Sequence, residues 1–285
     1  METKLKITIA VVESPLQFMC LPADTKKIFI RTGGCLATLR QFENLSLSPL
    51  FRNRVLNDIA IFLVVCYFRL FSRVAIIYGS YFSRFLKTLQ LILRFVDVTF
   101  VDDGIASFKY LKIALPKRYN FLTIYDELVN GDNITKNVNF LNPIGEESSC
   151  IDLIIGQDLI EECLLGESTY FSGVKAGINL IGEADDVELR YFPHRRENVN
   201  RVRDKLEGVN VVTPDFPIEI YLLKNNLKVR NLITYFSSAA FNIKRVICPN
   251  ANIHILRNDV LYGLLDEHQV VAYDIIQEGS SDVLS

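Results

Sequence analysis

Few of the commonest catalytic signatures occur in this chain. It contains only three histidines, and its six cysteines (Cys20, Cys35, Cys66, Cys150, Cys163, Cys248) form no C-x-x-C pair. None of them stands at metal-ligand spacing from a histidine, so free and mostly buried thiols in a reducing cytoplasm are the simplest account. No G-x-G-x-x-G follows the first apolar segment, and neither G-x-x-x-x-G-K-[ST] nor G-x-S-x-G occurs. Dinucleotide, P-loop and serine-hydrolase readings therefore lose their main support. The net charge is −2 and the pI near 6.0, so there is no global basic field and nucleic acid is not an expected partner. The longest greasy run, 59–68, has ten residues, whereas a bilayer span needs about 20. A buried helix is expected there, with peripheral membrane contact through segments 67–73 or 81–95 left open. No signal peptide is seen, because residues 1–6 lead into a short apolar run that ends at Glu13.

A chain of 285 residues with 49% hydrophobic and 22% charged residues is compact and long enough for two domains. Mean hydropathy is +0.21. Periodicity alternates strand-like and helical stretches: strands at 6–12, 27–31, 73–78 and 97–101, with helices at 15–20, 50–71 and 81–93. Such alternation implies a parallel, doubly wound sheet. Turn residues crowd the stretch 115–149, which reads as loop and places a domain boundary near 145–150, giving domains 1–148 and 149–285. The alternation then restarts. Strands are expected at 151–155, 188–192, 209–212, 231–235, 245–248 and 252–256, helices at 157–164, 169–180, 217–224 and 238–241, and a frayed end over the last ten residues.

Four short polar segments follow apolar strands: Val-Asp-Asp-Gly at 101–104, Gly-Gln-Asp at 156–158, Pro-His-Arg-Arg at 193–196 and Ser-Ser at 237–238. Strand ends of α/β sheets are where ligands gather. Asp102 and Asp103 before Gly104 form an acidic pair in which one pKa is pushed upward and a carboxylate can take a proton from a sugar hydroxyl. A helix N-cap is the competing structural role, and acidic pairs after strands also occur in receiver domains and in metal-binding nucleotide-sugar transferases. His194, beside Arg195 and Arg196, can serve a phosphate oxygen as donor or general acid. Ser237 and Ser238 open a helix, which is either an anion site or an ordinary serine cap. Gly156 lets backbone approach a ligand closely.

In their order these motifs resemble the bacterial sialyltransferases, and most closely glycosyltransferase family 52, the lipooligosaccharide sialyltransferase group. Thr-Phe-Val-Asp-Asp-Gly at 99–104 looks like that family's acidic-acidic-glycine motif, Tyr-Phe-Pro-His at 191–194 resembles its His-Pro segment, and Thr-Tyr-Phe-Ser-Ser-Ala-Ala at 234–240 is similar to its serine motif. Glu-Ser-Pro-Leu-Gln at 13–17, Leu-Ile-Ile-Gly-Gln at 153–157, Phe-Pro-Ile-Glu at 216–219 and Asn-Ile-His-Ile at 252–255 also match, so the resemblance spans nearly the whole chain. It implies a GT-B architecture of two Rossmann-like domains facing across a cleft, with no cofactor or metal. The donor it implies is CMP-sialic acid or a related CMP-nonulosonate, transferred with inversion to a glycan or glycolipid. It also implies that Asp103 is the base with Asp102 beside it, that His194 and Arg195 face the CMP phosphate, that Ser237, Ser238 and Gly156 bind the donor, and that Glu219 holds cytosine or ribose. Ser14, Gln17 and Gly104 would lie on the acceptor side. Asp158 falls near a carboxylate proposed as base in some relatives and competes with Asp103. Where the family has His-Pro, this chain has His194-Arg195, which removes a fixed φ and adds a cation. Members of that family can form dimers. The expected site is cytoplasmic, including the cytoplasmic face of the inner membrane.

Overall fold

The computed structural model of the chain describes residues 6–22, 25, 27–30, 54–79, 85, 87–89, 97–102, 107, 119–129, 133–136, 148–182, 187–215, 217–265, 267, 269–271, 274 and 282–284. Two compact units divide it, Met1–Leu141 and Asn142–Ser285, against an expected division at 148/149. Each unit is built on one six-stranded sheet in which every pairing is parallel.

In the first unit the strands are β1 (Lys6–Val12), β2 (Lys27–Ile30), β3 (Arg73–Tyr78), β4 (Asp97–Val101), β5 (Tyr119–Thr123) and β6 (Ile134–Lys136), in the order β2-β1-β3-β4-β5-β6. Strands covered on both faces are apolar throughout rather than alternating, and Ile9, Ala10, Val11 and Val12 are all essentially inaccessible. The strand order reverses between β1 and β3, the switch point of this sheet. The stretch read as loop, 115–149, contains β5 and β6; both are short, and the turn residues around them mask the pattern. Of the helix expected at 81–93 the described residues Phe85 and 87–89 are helical.

Among the described residues, helices α1 (Pro15–Met19) and α2 (Arg54–Phe71) accompany this sheet. The greasy run lies in α2, but it is not a buried helix. Only a narrow stripe, Asn57, Ile61 and Val65, is buried, whereas Ile59, Leu63, Tyr67, Leu70 and Phe71 are each more than half exposed. Among the described residues no helix is long and apolar enough to cross a membrane.

The second unit carries β7 (Ser149–Ile155), β8 (Glu188–Phe192), β9 (Asn210–Val211), β10 (Leu227–Thr234), β11 (Asn252–Leu256) and β12 (Asp282–Leu284), in the order β12-β11-β10-β7-β8-β9. This is the order of a dinucleotide-type Rossmann sheet, with its switch point between β7 and β10. Helices α3 (Glu167–Ile181), α4 (Val199–Lys205), α5 (Ile218–Lys224), α6 (Ser238–Asn242) and α7 (Asp259–Leu264) connect the strands. On α3, Tyr170, Phe171 and Val174 pack with Ile154, Tyr191, Ile233 and Leu256 in one buried cluster, each such side chain contributing about 1.5–3 kcal/mol over its exposed state. A Cβ at Gly177 would stand 2.8 Å from Ile233, so the glycine sets how closely α3 approaches the sheet.

Four local expectations change. The segment 157–164 is a run of turns instead of a helix. Helix α4 was not foreseen. The run 245–248, rich in β-branched residues, belongs to a π-helix, Ile243–Ile247, that continues α6. Near the end, β12 pairs with β11 instead of fraying.

β10 is longer than expected because it carries a register shift between Val229 and Leu232. Asp152, 2% exposed on β7, holds the irregular residues: its Oδ1 accepts from Arg230 Nε at 3.0 Å, the Asn231 amide N–H at 3.1 Å and Asn231 Nδ2 at 3.0 Å. Arg230 is one third exposed on its side chain, which softens the loss of its partner. Asp152→Ala is expected to cost about 2–3 kcal/mol, somewhat below the roughly 3–5 kcal/mol for breaking a fully buried pair. Chemical denaturation checks this, and a cost below 1 kcal/mol would show that the bulge does not depend on the carboxylate.

Candidate functional site

At the switch point of the first sheet, the end of β1 runs into Glu13 and Ser14. Ser14 caps α1, its hydroxyl accepting the Gln17 N–H at 3.2 Å. Gln17 is 1% exposed; its Oε1 accepts the Glu13 N–H at 2.7 Å, and its amide lies over Gly79, where a Cβ would sit 1.9 Å from Gln17 Cδ. Tyr78, at the end of β3, donates to Glu13 at 2.9 Å. Ser14 and Gln17, expected on the acceptor side, thus tie the ends of β1 and β3 together.

Asp102 at the end of β4 is fully buried. It accepts from the Thr123 hydroxyl at 3.0 Å and from the Ile124 N–H at 2.5 Å, fixing the end of β5. Cys20 is buried nearby, and burial together with the Asp102 charge pushes its thiol upward. Asp103 and Gly104 lie outside the described residues, as do Cys35, Phe216 and His268.

The second sheet gathers more of the expected site. The ends of β7 and β10 meet at its switch point, where the Gln157 side-chain amide pairs with both backbone groups of Phe236: Oε1 accepts the Phe236 N–H at 2.5 Å and Nε2 donates to the Phe236 carbonyl. That pairing joins the segment holding Gly156 and Asp158 to the one holding Ser237 and Ser238. Ser237 caps α6, with its Oγ 3.3 Å from the Ala239 N–H, and the Ser238 side is exposed. Beneath Ser237, Tyr235 stacks on Tyr170 with ring centroids 5.2 Å apart and donates to the Tyr170 carbonyl at 2.8 Å. Glu219 at the start of α5 is buried, and Asn242 donates to it at 2.9 Å; burial raises its carboxyl.

β8 delivers His194 beside Asp158, with Nδ1 3.5 Å from Oδ1. The other Asp158 oxygen meets the Arg196 guanidinium, which also reaches Glu162. Asp158 Oδ2 thus has Arg196 as its partner, whereas His194 Nδ1 is a buried atom with no hydrogen bond, only the 3.5 Å approach to Asp158 Oδ1. Buried polar atoms in native proteins are nearly always paired, so the imidazole nitrogen left in this way marks a place suited to a ligand. Arg195 is exposed and makes no ion pair among the described residues. No cluster that could hold a metal ion is found among the described residues.

One residue was missed by the sequence reading. Glu197, 9% exposed, accepts from Tyr191 at 2.7 Å and Tyr170 at 3.0 Å on Oε1, and from the His194 N–H at 2.6 Å on Oε2. The two tyrosine hydroxyls also lie 2.8 Å apart, and Tyr170 accepts the Gln157 N–H at 3.1 Å. Gly156 makes room for this cluster: a Cβ there would meet Glu197 Oε2 at 2.1 Å and the Tyr191 hydroxyl at 2.6 Å. The face of Gly156 that lacks a side chain thus admits the protein's own polar groups. A clue was present in that Glu197 is the sole acidic residue between 189 and 203; its partners, on α3 and β8, are not adjacent in sequence.

No known family profile matches the sequence, and no curated protein matches it. Solved structures match in shape. An α/β-galactoside α-2,3-sialyltransferase from the luminous marine bacterium Photobacterium phosphoreum is 12% identical, with TM-score 0.57 over 99% of this chain and 98% of that one. MurG of Acinetobacter baumannii is 10% identical, with TM-score 0.50 over 98% of this chain and 85% of that one. A UDP-GlcNAc 2-epimerase from Neisseria meningitidis, bound to UDP-GlcNAc, gives 0.48 at 10% identity over 96% and 92%. The first two likenesses show the fold: two parallel-sheet α/β domains of the GT-B type, as expected from the sequence. The comparisons reach that fold and not family 52.

Burial pushes the Glu197 carboxyl up to about 7 from 4.5, against the opposing pull of Tyr191, the His194 N–H and Tyr170. The folded state therefore binds this proton more tightly than the unfolded state does. The associated stability is present below pH 4.5 and is lost as pH rises through about 7. Relative to Glu197→Gln, the wild-type chain is expected to lose about 2–3 kcal/mol between pH 5 and 8. Urea unfolding at the two pH values measures this, and parallel pH dependences would contradict it.

Proposed function

We propose that the chain is an inverting glycosyltransferase that moves sialic acid, or a related nonulosonic acid, from its CMP donor to a terminal sugar hydroxyl of a bacterial surface glycan, lipooligosaccharide or capsule. The observation that carries the reading is the convergence beside one switch point of the His194 and Asp158 pair, with the unbonded His194 Nδ1, and the Ser237-Ser238 helix start. Together these supply a cradle for a departing phosphate. The resemblance in motif order supplies the donor class. The fold shared with a sialyltransferase over nearly the full length of both chains accords with it.

CMP is a good leaving group, so the protein's work is to stabilise its developing charge and take one proton from the acceptor. His194 serves the departing phosphate oxygen as donor, and Arg195 adds a cation on the same loop. Ser237 and Ser238 offer hydroxyls and Glu219 the contact to cytosine or ribose. With Arg196 on one oxygen and His194 on the other, the Asp158 carboxylate is arranged to orient the imidazole. We assign the acceptor proton to Asp103 on the first unit, with Asp158 as its competitor. The acceptor is a glycan or glycolipid, and the exposed apolar side chains of α2 suit peripheral contact with the inner membrane. The other readings are a different CMP-linked keto-sugar donor and a non-catalytic nucleotide-sugar- or glycan-binding protein.

CMP release from CMP-sialic acid, with terminal galactosides as acceptors, is expected and is read by a coupled assay. Consumption only of another CMP-linked keto-sugar moves the donor assignment, and no consumption with any acceptor removes the enzyme reading. His194→Ala is expected to lower turnover by about 10² or more while retaining part of the CMP affinity. Asp103→Asn is expected to lose roughly 10² or more in kcat. A larger loss in Asp158→Asn would make Asp158 the base, and mild, equal losses would mean that neither is.

A further inference from the structure

Glu197 stands where three strand-end segments meet. On one oxygen it accepts from Tyr191 of β8 and Tyr170 of α3; on the other it accepts the backbone N–H of His194. Tyr170 in turn receives the Gln157 N–H and stacks beneath Tyr235, two residues before Ser237. A single carboxylate thus anchors the His194 segment directly and reaches the Asp158 and Ser237 segments through one tyrosine.

We propose that Glu197 is a positioning residue, whose ionised carboxylate fixes the backbone of His194 and thereby the imidazole beside Asp158 for turnover. This rests on the reading of His194 as the group that serves the departing phosphate.

Proton counting shows why ionisation matters. Glu197 Oε1 and the two hydroxyl oxygens make three O···O contacts of 2.7, 2.8 and 3.0 Å, yet the two hydroxyls bring only two protons. A third proton, carried by Glu197, completes the triangle but leaves Oε2 a neutral acceptor for the His194 N–H. Loss of that proton makes the His194 bond charge-assisted, hence shorter and stronger. The two states therefore trade a complete tyrosine triangle for a firmly held His194. The groups that face the carboxylate are Tyr170 from α3, Tyr191 from β8 and, on its own segment, the His194 N–H, with the Glu161 charge on the neighbouring turn opposing ionisation. Burial brings the change to about pH 7. Nothing in this arrangement requires Glu197 to touch a substrate.

The experiment uses the full chain labelled with ¹⁵N-histidine, which gives at most three backbone amide signals because the chain has three histidines. In the wild type the His194 amide proton is expected to move downfield with a midpoint near pH 7 as Glu197 ionises, with no ligand present. Glu197→Gln presents one amide N–H to the triangle and one carbonyl oxygen to His194, so it imitates the protonated acid, and this step is expected to vanish. Turnover of CMP-sialic acid in the variant is expected to fall by roughly tenfold or more above pH 7, with the rise through pH 7 lost. Its Kd for CMP is expected to stay within about threefold, since no CMP contact is assigned to Glu197. Should Glu197→Gln not fold, Tyr191→Phe removes one donor to the carboxylate and is expected to raise the midpoint of the His194 amide step, because the ionised form loses a hydrogen bond. A His194 amide that does not titrate near pH 7, or a variant with the wild-type pH profile, overturns the proposal. Absence of CMP binding by the wild type would sink the transferase reading instead, and the amide titration would still decide the positioning.

Discussion

The Tyr170 hydroxyl sits among Tyr191, Glu197 and the Gln157 N–H, and on this buried contact the geometry of the candidate site depends. Its ring belongs to the cluster that fastens α3 to the sheet, so the helix that buries the apolar face also presents the polar group that gathers the loops. A hydroxyl and a carboxylate at such depth are favourable only if each is bonded. The bonds that satisfy them are those that place Gly156, Gln157 and His194. Packing and site geometry are therefore one constraint in the second unit.

The same logic explains how polar residues are divided. Residues whose hydrogen-bonding capacity is taken up within the fold, such as Asp102, Gln17 and Asp152, define where strands end or bend. The residue left with capacity, His194, follows β8 and stands beside Asp158, next to the switch point between β7 and β10. A strand end with an unsatisfied group, beside the point where the strand order reverses, is a place for a ligand to complete the pairing. Burial favours the neutral form of Glu197, so its charged form near and above neutral pH is held at a cost in stability.

The strands were legible because parallel strands buried on both faces are unbroken apolar runs: 6–12, 73–78, 97–101 and 252–256 are found as read. Where local preference and tertiary context disagreed, the reading failed. Val246 and Ile247 favour a strand by type, yet they lie in the π-helix after α6, packed among buried neighbours. Asp152 lets β10 extend through a bulge that residues 227–230 alone do not announce. His194, Asp158 and Ser237 were visible as polar punctuation after strands, and the fold brings their segments together. Glu197 was not visible, because its meaning is carried by Tyr170, which is distant in sequence and meets it only in the fold.

The central claim is that a CMP-type ligand binds at the switch point of the second sheet. Hydrogen–deuterium exchange with and without CMP tests it directly. The account predicts added protection at 156–158, 193–197 and 236–240, with the opposite ends of β7, β8 and β10 unchanged. Protection confined to other segments, or no change at saturating CMP, would contradict it.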